Sequence, residues 1–329
     1  MSTLRPSRRA ALLPGAVLTG ALLLSACGSG GDSDPAAGGT RQTATATTRR
    51  ITDAEGRKVD VPSTPKRIVA LSEPTLDAAL ALGIEPVGAT AGRGQRGVST
   101  YLAGKAAKTQ VVATVAAADL ERVAALHPDL ILLDETTGAK KNVAGLQKIA
   151  PTVVTAKLNE DWRTAFTDTA DALGRKSAAQ QWLTGFDTRV AGVKKGLGAA
   201  AGQSVSVVRW QGGAPSVVGR GDGVVGSTLT ALGLHRPAAQ QGTGSGHSEP
   251  VSLEKLDTID ADWLFFGTLG SRADGERAYA QARNVTNFSR LTAQKEGHVV
   301  VVQGSAWNSA GGPLAARIVL DDVEKALVK

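Results

Sequence analysis

The chain has 329 residues, which is enough for two domains of ordinary size. Its composition, 42% hydrophobic and 20% charged, excludes wholesale disorder. A single Cys excludes an intrachain disulfide and a Cys-rich zinc site, and the four His show no metal-ligand spacing. The net charge of +7 falls to +4 when the three Arg of the first 26 residues are removed, which gives no argument for nucleic-acid binding.

The N-terminus has the pattern of an export and anchoring signal. Three Arg, at positions 5, 8 and 9, precede an apolar run over 11–24 that is too short for a membrane span. The run ends in Leu24-Ser25-Ala26-Cys27, which resembles the bacterial lipobox, where the Cys is lipidated and becomes the mature N-terminus. We therefore predict a lipoprotein signal peptide over 1–26, lipidation at Cys27 and a flexible tether over 27–49, rich in Gly, Ser, Thr and Ala. A buried free Cys after an uncleaved anchor is the alternative.

The region over 50–175 alternates strand and helix patterns, which indicates a parallel sheet covered by helices. It begins with a predicted hairpin over 51–61 that turns at Glu55-Gly56. A helix predicted over 75–82 ends at Gly83, the residue type favoured just past a helix C-terminus. The other predicted elements are strands over 68–71, 87–89 and from 111, a helix over 120–126, a strand over 130–133, a helix over 143–149 and a strand over 153–154.

Two helices are predicted in the middle of the chain. Trp162, Phe166 and Leu173 share one helical face, and Gly174 ends that helix. The next helix is the longest in the chain, and its roughly 22 residues would span roughly 33 Å. We predict that it joins two lobes over 176–198, and that Trp162 and Trp182 pack in the core.

Strand and helix patterns alternate again over 199–329. The predicted elements are strands over 205–210, 263–266 and 299–302 and helices over 228–232, 253–259 and 314–327. The run Leu120-Glu121-Arg122-Val123 matches Leu253-Glu254-Lys255-Leu256, and residues 80–84 match 231–234, so one unit is used twice. We therefore predict an α/β fold with two similar Rossmann-like lobes, mostly parallel sheets, one long hinge helix and a ligand cleft between the lobes.

Motifs for other activities are weak. The run Gly92-Arg93-Gly94-Gln95-Arg96-Gly97 fits the dinucleotide pattern G-x-G-x-x-G, but the helix that such a site needs is not predicted after it. A free-metal carrier normally needs several convergent His or carboxylates, which the scattered His do not indicate. The sequence contains no G-x-S-x-G, H-E-x-x-H or G-x-x-x-x-G-K motif. A secreted hydrolase remains the alternative from a different class.

Six motifs spread over most of the mature chain point to one family. They are Val61-Pro62, the runs over 65–72 (PKRIVALS) and 119–132 (DLERVAALHPDLIL), Leu80-Ala81-Leu82-Gly83, Ile149-Ala150-Pro151-Thr152-Val153 and Gly304-Ser305-Ala306-Trp307-Asn308. With them, the chain resembles the iron-siderophore substrate-binding proteins of bacterial ABC importers. The resemblance implies a monomeric receptor at the outer face of the membrane, without enzymatic activity or cofactor, that passes a ferric siderophore to an ABC permease. Because related binders carry cobalamin or haem, the identity of the chelate stays open.

Ligand contacts in such a binder are expected from loops at the carboxyl ends of strands. Arg can pair with the oxygen atoms of a siderophore, and Trp offers a flat apolar wall. The candidate ligand-binding residues are Arg209 and Trp210 after the first strand of the second lobe, Trp307 after the last strand, Arg93 and Arg96 in the glycine-rich loop, and Ser72, Glu73 and Thr268 at other strand ends. Solvated loop charges are the alternative for both loop Arg, and helix capping is the alternative for Glu73.

The two Glu residues of the repeat have a separate expected role. In the family, the Glu of the Leu-Glu helix-start motif in each lobe meets Arg on the transporter. Glu121 and Glu254 match this motif, so the resemblance implies that they dock the protein on its permease. The alternative is that each Glu stabilises the N-terminus of its own helix, by about 0.3–1 kcal/mol.

Overall fold

The computed structural model describes residues 47–218, 223–241 and 248–328. The predicted signal peptide, Cys27 and the tether up to residue 46 lie outside the described residues. Within those three ranges, no helix combines the length and the apolar character needed to cross a membrane.

The described chain alternates strands and helices. The strands are β1 (Thr48–Thr52), β2 (Lys58–Pro62), β3 (Ile68–Ala70), β4 (Gly88–Thr90), β5 (Gln110–Ala113), β6 (Leu130–Leu133), β7 (Thr152–Val154), β8 (Val205–Gln211), β9 (Ala214–Val218), β10 (Ser248–Pro250), β11 (Trp263–Gly267) and β12 (Val299–Val301). The helices are α1 (Glu73–Ala81), α2 (Leu120–Ala125), α3 (Val143–Leu146), α4 (Trp162–Ala172), α5 (Lys176–Gly196), α6 (Gly223–Ala231), α7 (Arg272–Ala282), α8 (Thr292–Lys295), α9 (Gly304–Trp307) and α10 (Pro313–Leu327). Sequence patterns missed β9, β10, α7, α8 and α9.

The first lobe is built on a parallel five-stranded sheet with the order β5-β4-β3-β6-β7. β3 and β6 are buried along their whole length, as their uninterrupted apolar sequences require in the middle of a parallel sheet. A separate antiparallel hairpin, β1 and β2, precedes this sheet. β1 begins at Thr48, which pairs with Pro62, so the hairpin overlaps the last two residues of the predicted tether. Pairing with β2 orders this polar stretch.

The second lobe repeats this strand order with β10-β9-β8-β11-β12. β8, β11 and β12 are parallel, whereas β9 and β10 are antiparallel to their neighbours. β9 follows β8 directly because Gly212 and Gly213 adopt positive φ angles of 61° and 82° and reverse the chain. The predicted fold class, with two mostly parallel α/β lobes joined by one helix, is confirmed.

α5 links the two lobes and spans about 32 Å over its 21 residues. Its buried face includes Leu183, Phe186, Val190 and Val193. At its start, Trp182 stacks on Phe186 with ring centroids 5.3 Å apart, and Trp162 of α4 meets both rings edge-on. This aromatic packing holds α4 against α5.

The helix predicted over 253–259 is the one clear error among the predicted elements. The structure has a turn at residues 253–254, followed by a short 3-10 helix over Leu256–Ile259. Leu256 and Ile259 are three residues apart and both buried, which suits the three-residue turn of a 3-10 helix. Glu254 therefore precedes a helical turn instead of lying within an α-helix.

Candidate ligand-binding cleft

The candidate cleft lies between the lobes, where several strands end. A larger cavity of about 160 Å³ has walls from both lobes, including Asp134, Leu158, Trp162, Val224 and Ser309. A smaller cavity beside it is lined by Glu73, Thr90, Arg93, Thr136, Ser309 and Ala310, among others. The two cavities share Thr136, Ser309 and Ala310, so they form one interlobe space.

Arg93 and Arg209, one from each lobe, are referred to as the arginine pair, although only Arg93 lines a cavity. Arg93 follows β4 in the first lobe and lines the smaller cavity. Arg209 is half-buried near the end of β8 in the second lobe, and burial, with a contribution from the charge of Arg93, lowers its pKa. Its guanidinium donates to Ser248 Oγ, while its Nε is buried without a hydrogen-bond partner in the described structure. The two arginines therefore lie within electrostatic range of each other, and Arg209 keeps an unused hydrogen-bond donor.

Arg96 belongs to the same loop as Arg93 but is exposed to solvent. None of the described residues hydrogen-bonds to it. The loop itself is closed by a hydrogen bond of 2.9 Å from Gly92 N to Gly97 O. A Cβ at position 92 would come within 2.7 Å of the Ser99 backbone, so the tight turn of this loop requires glycine there. Turns and bends follow Gly97 instead of a helix, which contradicts a dinucleotide site here.

Trp210 and Trp307 were predicted to line the cleft, but Trp210 lines neither cavity, whereas Trp307 is part of the wall of the larger one. Trp210 is 3% exposed and packs with Phe266 and Phe288, each at 5.7 Å between ring centroids. Side chains alternate along β8, so Trp210 enters the core on the face opposite Arg209. Trp307 is fully buried, stacks on Phe265 at 4.5 Å and donates from Nε1 to Asp322 at 2.9 Å.

Thr268 serves the local structure at the end of β11. Its carbonyl accepts a hydrogen bond of 2.8 Å from Asn308 Nδ2, and its Oγ1 accepts one of 3.0 Å from Gly270 N. It is half-buried and lines neither of the two cavities described above. Its role as a ligand contact stays a prediction.

Glu73 has a larger part in the site than the sequence indicated. Ser72, not Glu73, caps α1, because the Ser72 side chain accepts from Thr75 N. Glu73 is 7% exposed, and its Oε2 accepts hydrogen bonds from Ser99 Oγ at 2.7 Å and from Ser309 Oγ at 2.9 Å. Burial is the main reason that the pKa of Glu73 is raised to about 7.

Asp77, one helical turn after Glu73 on α1, connects the two lobes through hydrogen bonds. It is fully buried and accepts hydrogen bonds from the backbone N–H groups of Gly312, Leu314 and Ala315 at 3.0, 2.7 and 3.1 Å. Tyr101 OH donates to it at 2.8 Å. Burial raises the pKa of Asp77 to about 6, although these hydrogen bonds favour its ionised form. An acid in the apolar helix sequence around it was the available signal, and sequence reasoning missed it.

A third buried acid, Asp134, ends β6 and lines the larger cavity. Ser72 Oγ donates to its Oδ2 at 2.8 Å, and Thr136 N donates to its Oδ1 at 2.8 Å. Burial raises its pKa. Across residues 47–218, 223–241 and 248–328, however, no three His, Cys, Asp or Glu side chains are grouped closely enough to hold a metal ion.

The two predicted docking residues lie on the surface. Glu121 is exposed in the first turn of α2, and Glu254 is exposed in the turn before the 3-10 helix. Neither forms an ion pair within the described part of the chain. Leu253, next to Glu254, is also 37% exposed.

Comparisons with known proteins agree with this architecture. Residues 68–306 match the family model described as periplasmic binding protein. The probable siderophore-binding lipoprotein YfiY of Bacillus subtilis is 31% identical over 319 residues, covering 95% of this chain and 96% of the relative. The iron(3+)-hydroxamate-binding protein FhuD of the same species is 30% identical over 284 residues, covering 84% of each chain.

Solved structures are similar over the whole described body. Staphylococcus aureus SirA, in its crystal structure with staphyloferrin B, is 26% identical to this chain with a TM-score of 0.71. The match covers 85% of this chain and 98% of SirA. Sequence and structure together show that the chain belongs to the periplasmic binding protein family.

Proposed function

We propose that the protein is an extracytoplasmic receptor that binds a ferric siderophore between its lobes and delivers it to an ABC permease. Names of the relatives support this proposal, since they include a siderophore-binding lipoprotein, an iron(3+)-hydroxamate-binding protein and a protein solved with staphyloferrin B. Such a chelate brings its iron fully ligated, so the receptor needs to recognise only the outer oxygen atoms of the chelator.

The arginine pair is the observation that carries the proposal. Arg93 and Arg209 come from different lobes, and burial, with a contribution from the charge of Arg93, lowers the pKa of Arg209. A chelate with carboxylate or hydroxamate oxygens would accept charge-assisted hydrogen bonds from both and relieve their repulsion. Binding would also give the buried Arg209 Nε a partner.

Calorimetric titration tests this function directly. The protein is titrated with ferric staphyloferrin B, ferrichrome, ferric dicitrate, cobalamin and haem. We expect saturable binding of at least one ferric siderophore and weaker binding of the corresponding iron-free chelator. Binding of cobalamin or haem alone would reassign the ligand, and turnover of an ester or peptide library without chelate binding would favour a secreted hydrolase.

We further propose that lipidation of Cys27 holds the protein at the outer face of the cell membrane. The lipobox and the Gly- and Ser-rich tether support this anchor. Two acyl chains on one residue are sufficient for stable attachment to a bilayer.

Glu121 and Glu254 are proposed to dock the loaded receptor on its permease. Each lies in a different lobe and is exposed, and neither has an ion-pair partner in the described parts of the chain. Two carboxylates, one from each lobe, would orient the receptor if each contacts one subunit of the permease. Glu254 does not begin an α-helix, so helix stabilisation explains its position less well than it explains that of Glu121.

A further inference from the structure

Glu73 has one carboxyl oxygen that the protein itself does not use. Both Ser99 and Ser309 donate their hydroxyl groups to Oε2, at 2.7 and 2.9 Å. Oε1 is buried and makes no hydrogen bond to any described residue. Buried polar side-chain atoms in folded proteins nearly always have a partner, so an unpaired one beside a cavity takes its partner from outside the protein, either a water molecule or a ligand.

The unpaired oxygen belongs to a wall of the ligand space. Glu73 lines the smaller cavity together with Arg93. Ser309, which holds the other oxygen of Glu73, lines both cavities. Because the smaller cavity measures about 10 Å³, a ligand in the larger cavity would contact Glu73 through a single outer atom that enters the smaller one.

The charges around Glu73 come from several elements. Arg93, from the loop after β4, favours the ionised carboxylate, whereas Asp77, one turn later on α1, favours the neutral acid. Tyr101, from the segment before β5, interacts with both acids and keeps its phenolic proton, because burial raises its pKa. Asp134, at the end of β6, is hydrogen-bonded to Ser72, the residue before Glu73. The second lobe contributes the uncharged Ser309.

The hydrogen bonds decide which oxygen carries a proton. Oε2 accepts from two hydroxyl groups, so these contacts favour the O–H of the neutral acid on Oε1. Burial dominates and raises the pKa of Glu73 to about 7, which makes the neutral acid available at physiological pH. Among the described residues this O–H has no acceptor at hydrogen-bonding distance, although Tyr101 OH interacts with the same carboxyl group.

We propose that Glu73 is a specificity-determining residue, which donates a hydrogen bond from Oε1 to an oxygen atom of the bound chelate and takes up a proton on binding. The inference rests on the proposed function, because it assumes that a ferric siderophore occupies the cleft. Arg93 and Arg209 recognise the chelate by charge, and the neutral Glu73 lets an anionic ligand lie beside a carboxyl group without repulsion.

The direction of the pH effect follows from the same contacts. A bound chelate excludes water from Glu73, brings negative charge towards it and screens the positive charge of Arg93. All three effects favour the neutral acid in the complex more than in the free protein. Affinity should therefore fall as pH rises above about 7, by at most about tenfold per pH unit, and binding should take up a proton in that range.

The test measures proton uptake and affinity in the full chain. Ferric staphyloferrin B and ferrichrome are titrated by calorimetry between about pH 6 and about pH 8.5, in buffers with different ionisation enthalpies. Wild type should take up a fraction of a proton and lose affinity with rising pH. Glu73→Gln keeps a donor that does not titrate, so its affinity should stay nearly constant and its proton uptake should vanish. Glu276→Gln, at an exposed site on α7, is the matched control and should behave as wild type.

The outcomes separate this inference from the proposed function. Failure of wild type to bind any ferric siderophore at any pH would overturn the proposed function. Binding with no proton uptake, or with the same pH dependence in Glu73→Gln and wild type, would overturn the role of Glu73 alone. If Glu73→Gln does not fold, the proton uptake of wild type decides, because release or zero uptake contradicts the proposal.

Discussion

Neighbouring residues on β8 have opposite environments. Arg209 lies within electrostatic reach of Arg93, whereas Trp210 packs against Phe266 and Phe288 in the core of the second lobe. The alternation of side chains along a strand produces this separation. Mutations at these two positions should therefore change different properties.

Arg209→Ala should weaken siderophore binding by about 1–3 kcal/mol, because it removes charge-assisted hydrogen bonds to the ligand. Trp210→Ala should instead lower the free energy of unfolding by about 3–5 kcal/mol, since it leaves a cavity in the core. Calorimetry measures the first effect, and urea denaturation measures the second.

Arg283→Ala, at an exposed position just after α7, is a matched control for the loss of one positive charge. It should leave both affinity and stability unchanged. Wild-type affinity in Arg209→Ala would show that the arginine pair does not contact the ligand.

The buried acids also predict how stability depends on pH. The pKa values of Glu73 and Asp77 are raised by burial to about 7 and about 6. The folded state therefore holds protons that the unfolded chain releases at about pH 4, and stability falls as pH rises through the folded pKa values. Glu73→Gln should reduce this decrease in the free energy of unfolding by up to about 3 kcal/mol, because each pKa unit corresponds to about 1.4 kcal/mol.

Urea denaturation of ligand-free wild type and Glu73→Gln at about pH 5 and about pH 8 measures this difference. Comparison with the variant separates the contribution of Glu73 to stability from that of acids with a lowered pKa, such as Asp262 and Asp274. The stability that those acids contribute has the opposite pH dependence. Parallel pH profiles for the two proteins would mean that Glu73 does not titrate in this range.

At the scale of elements, α10 receives its N-terminal cap from the other lobe. Its own N-cap residue is Gly312, which has no side chain to offer. Asp77 of α1 accepts from three backbone N–H groups at this end of α10, which also places a carboxylate at the positive end of the helix dipole. The contact between α1 and α10 therefore connects the two lobes.

Asp77→Ala should lower the free energy of unfolding by about 1–3 kcal/mol, because it leaves buried N–H groups of α10 without an acceptor. Asp77→Asn keeps one carbonyl oxygen as an acceptor and should lose less. Urea denaturation at constant pH measures both. A change within about 0.5 kcal/mol for Asp77→Ala would show that α10 does not depend on this cap.

At the scale of the whole molecule, the receptor has to meet a membrane permease while its ligand stays in the cleft. Glu121 and Glu254 lie outside both cavities, one in each lobe. Docking and ligand binding should therefore be separable by mutation.

The double variant Glu121→Ala with Glu254→Ala should abolish siderophore-dependent iron uptake in cells, because rim carboxylates orient the receptor on cationic groups of the permease. Its siderophore affinity in calorimetry should equal that of wild type. Uptake by the single variants should decline further at high salt. Loss of ligand affinity would instead place these residues in the cleft, and normal uptake would leave them with a structural role.

Cys27→Ala should release the protein from the membrane fraction or leave it unprocessed, while the purified protein keeps its ligand affinity. The physical reason is that, in the proposed anchor, Cys27 alone carries the lipid. Cell fractionation and intact-mass measurement check this prediction, with Ser29→Ala in the tether as the control. Wild-type protein without lipid in the soluble fraction would contradict it.

The sequence alone was sufficient for the α/β class, for the single long helix between the lobes and for most element positions. These properties depend on local patterns, such as the apolar run of β6 and the spacing of Trp182, Phe186 and Val190 on α5. Periodicity and glycine punctuation act over a few residues, so they can be read without knowledge of distant partners.

The content of the cleft was decided only by tertiary structure. The sequence did not show on which face of β8 each side chain lies, so Trp210 was expected in the cleft although it packs in the core. The properties of Glu73 and Asp77 depend on Ser309 and on the start of α10, more than 230 residues away, and on their removal from water. Burial and long-range hydrogen bonds exist only in the folded chain, and they give the two acids their protonation and their place between the lobes.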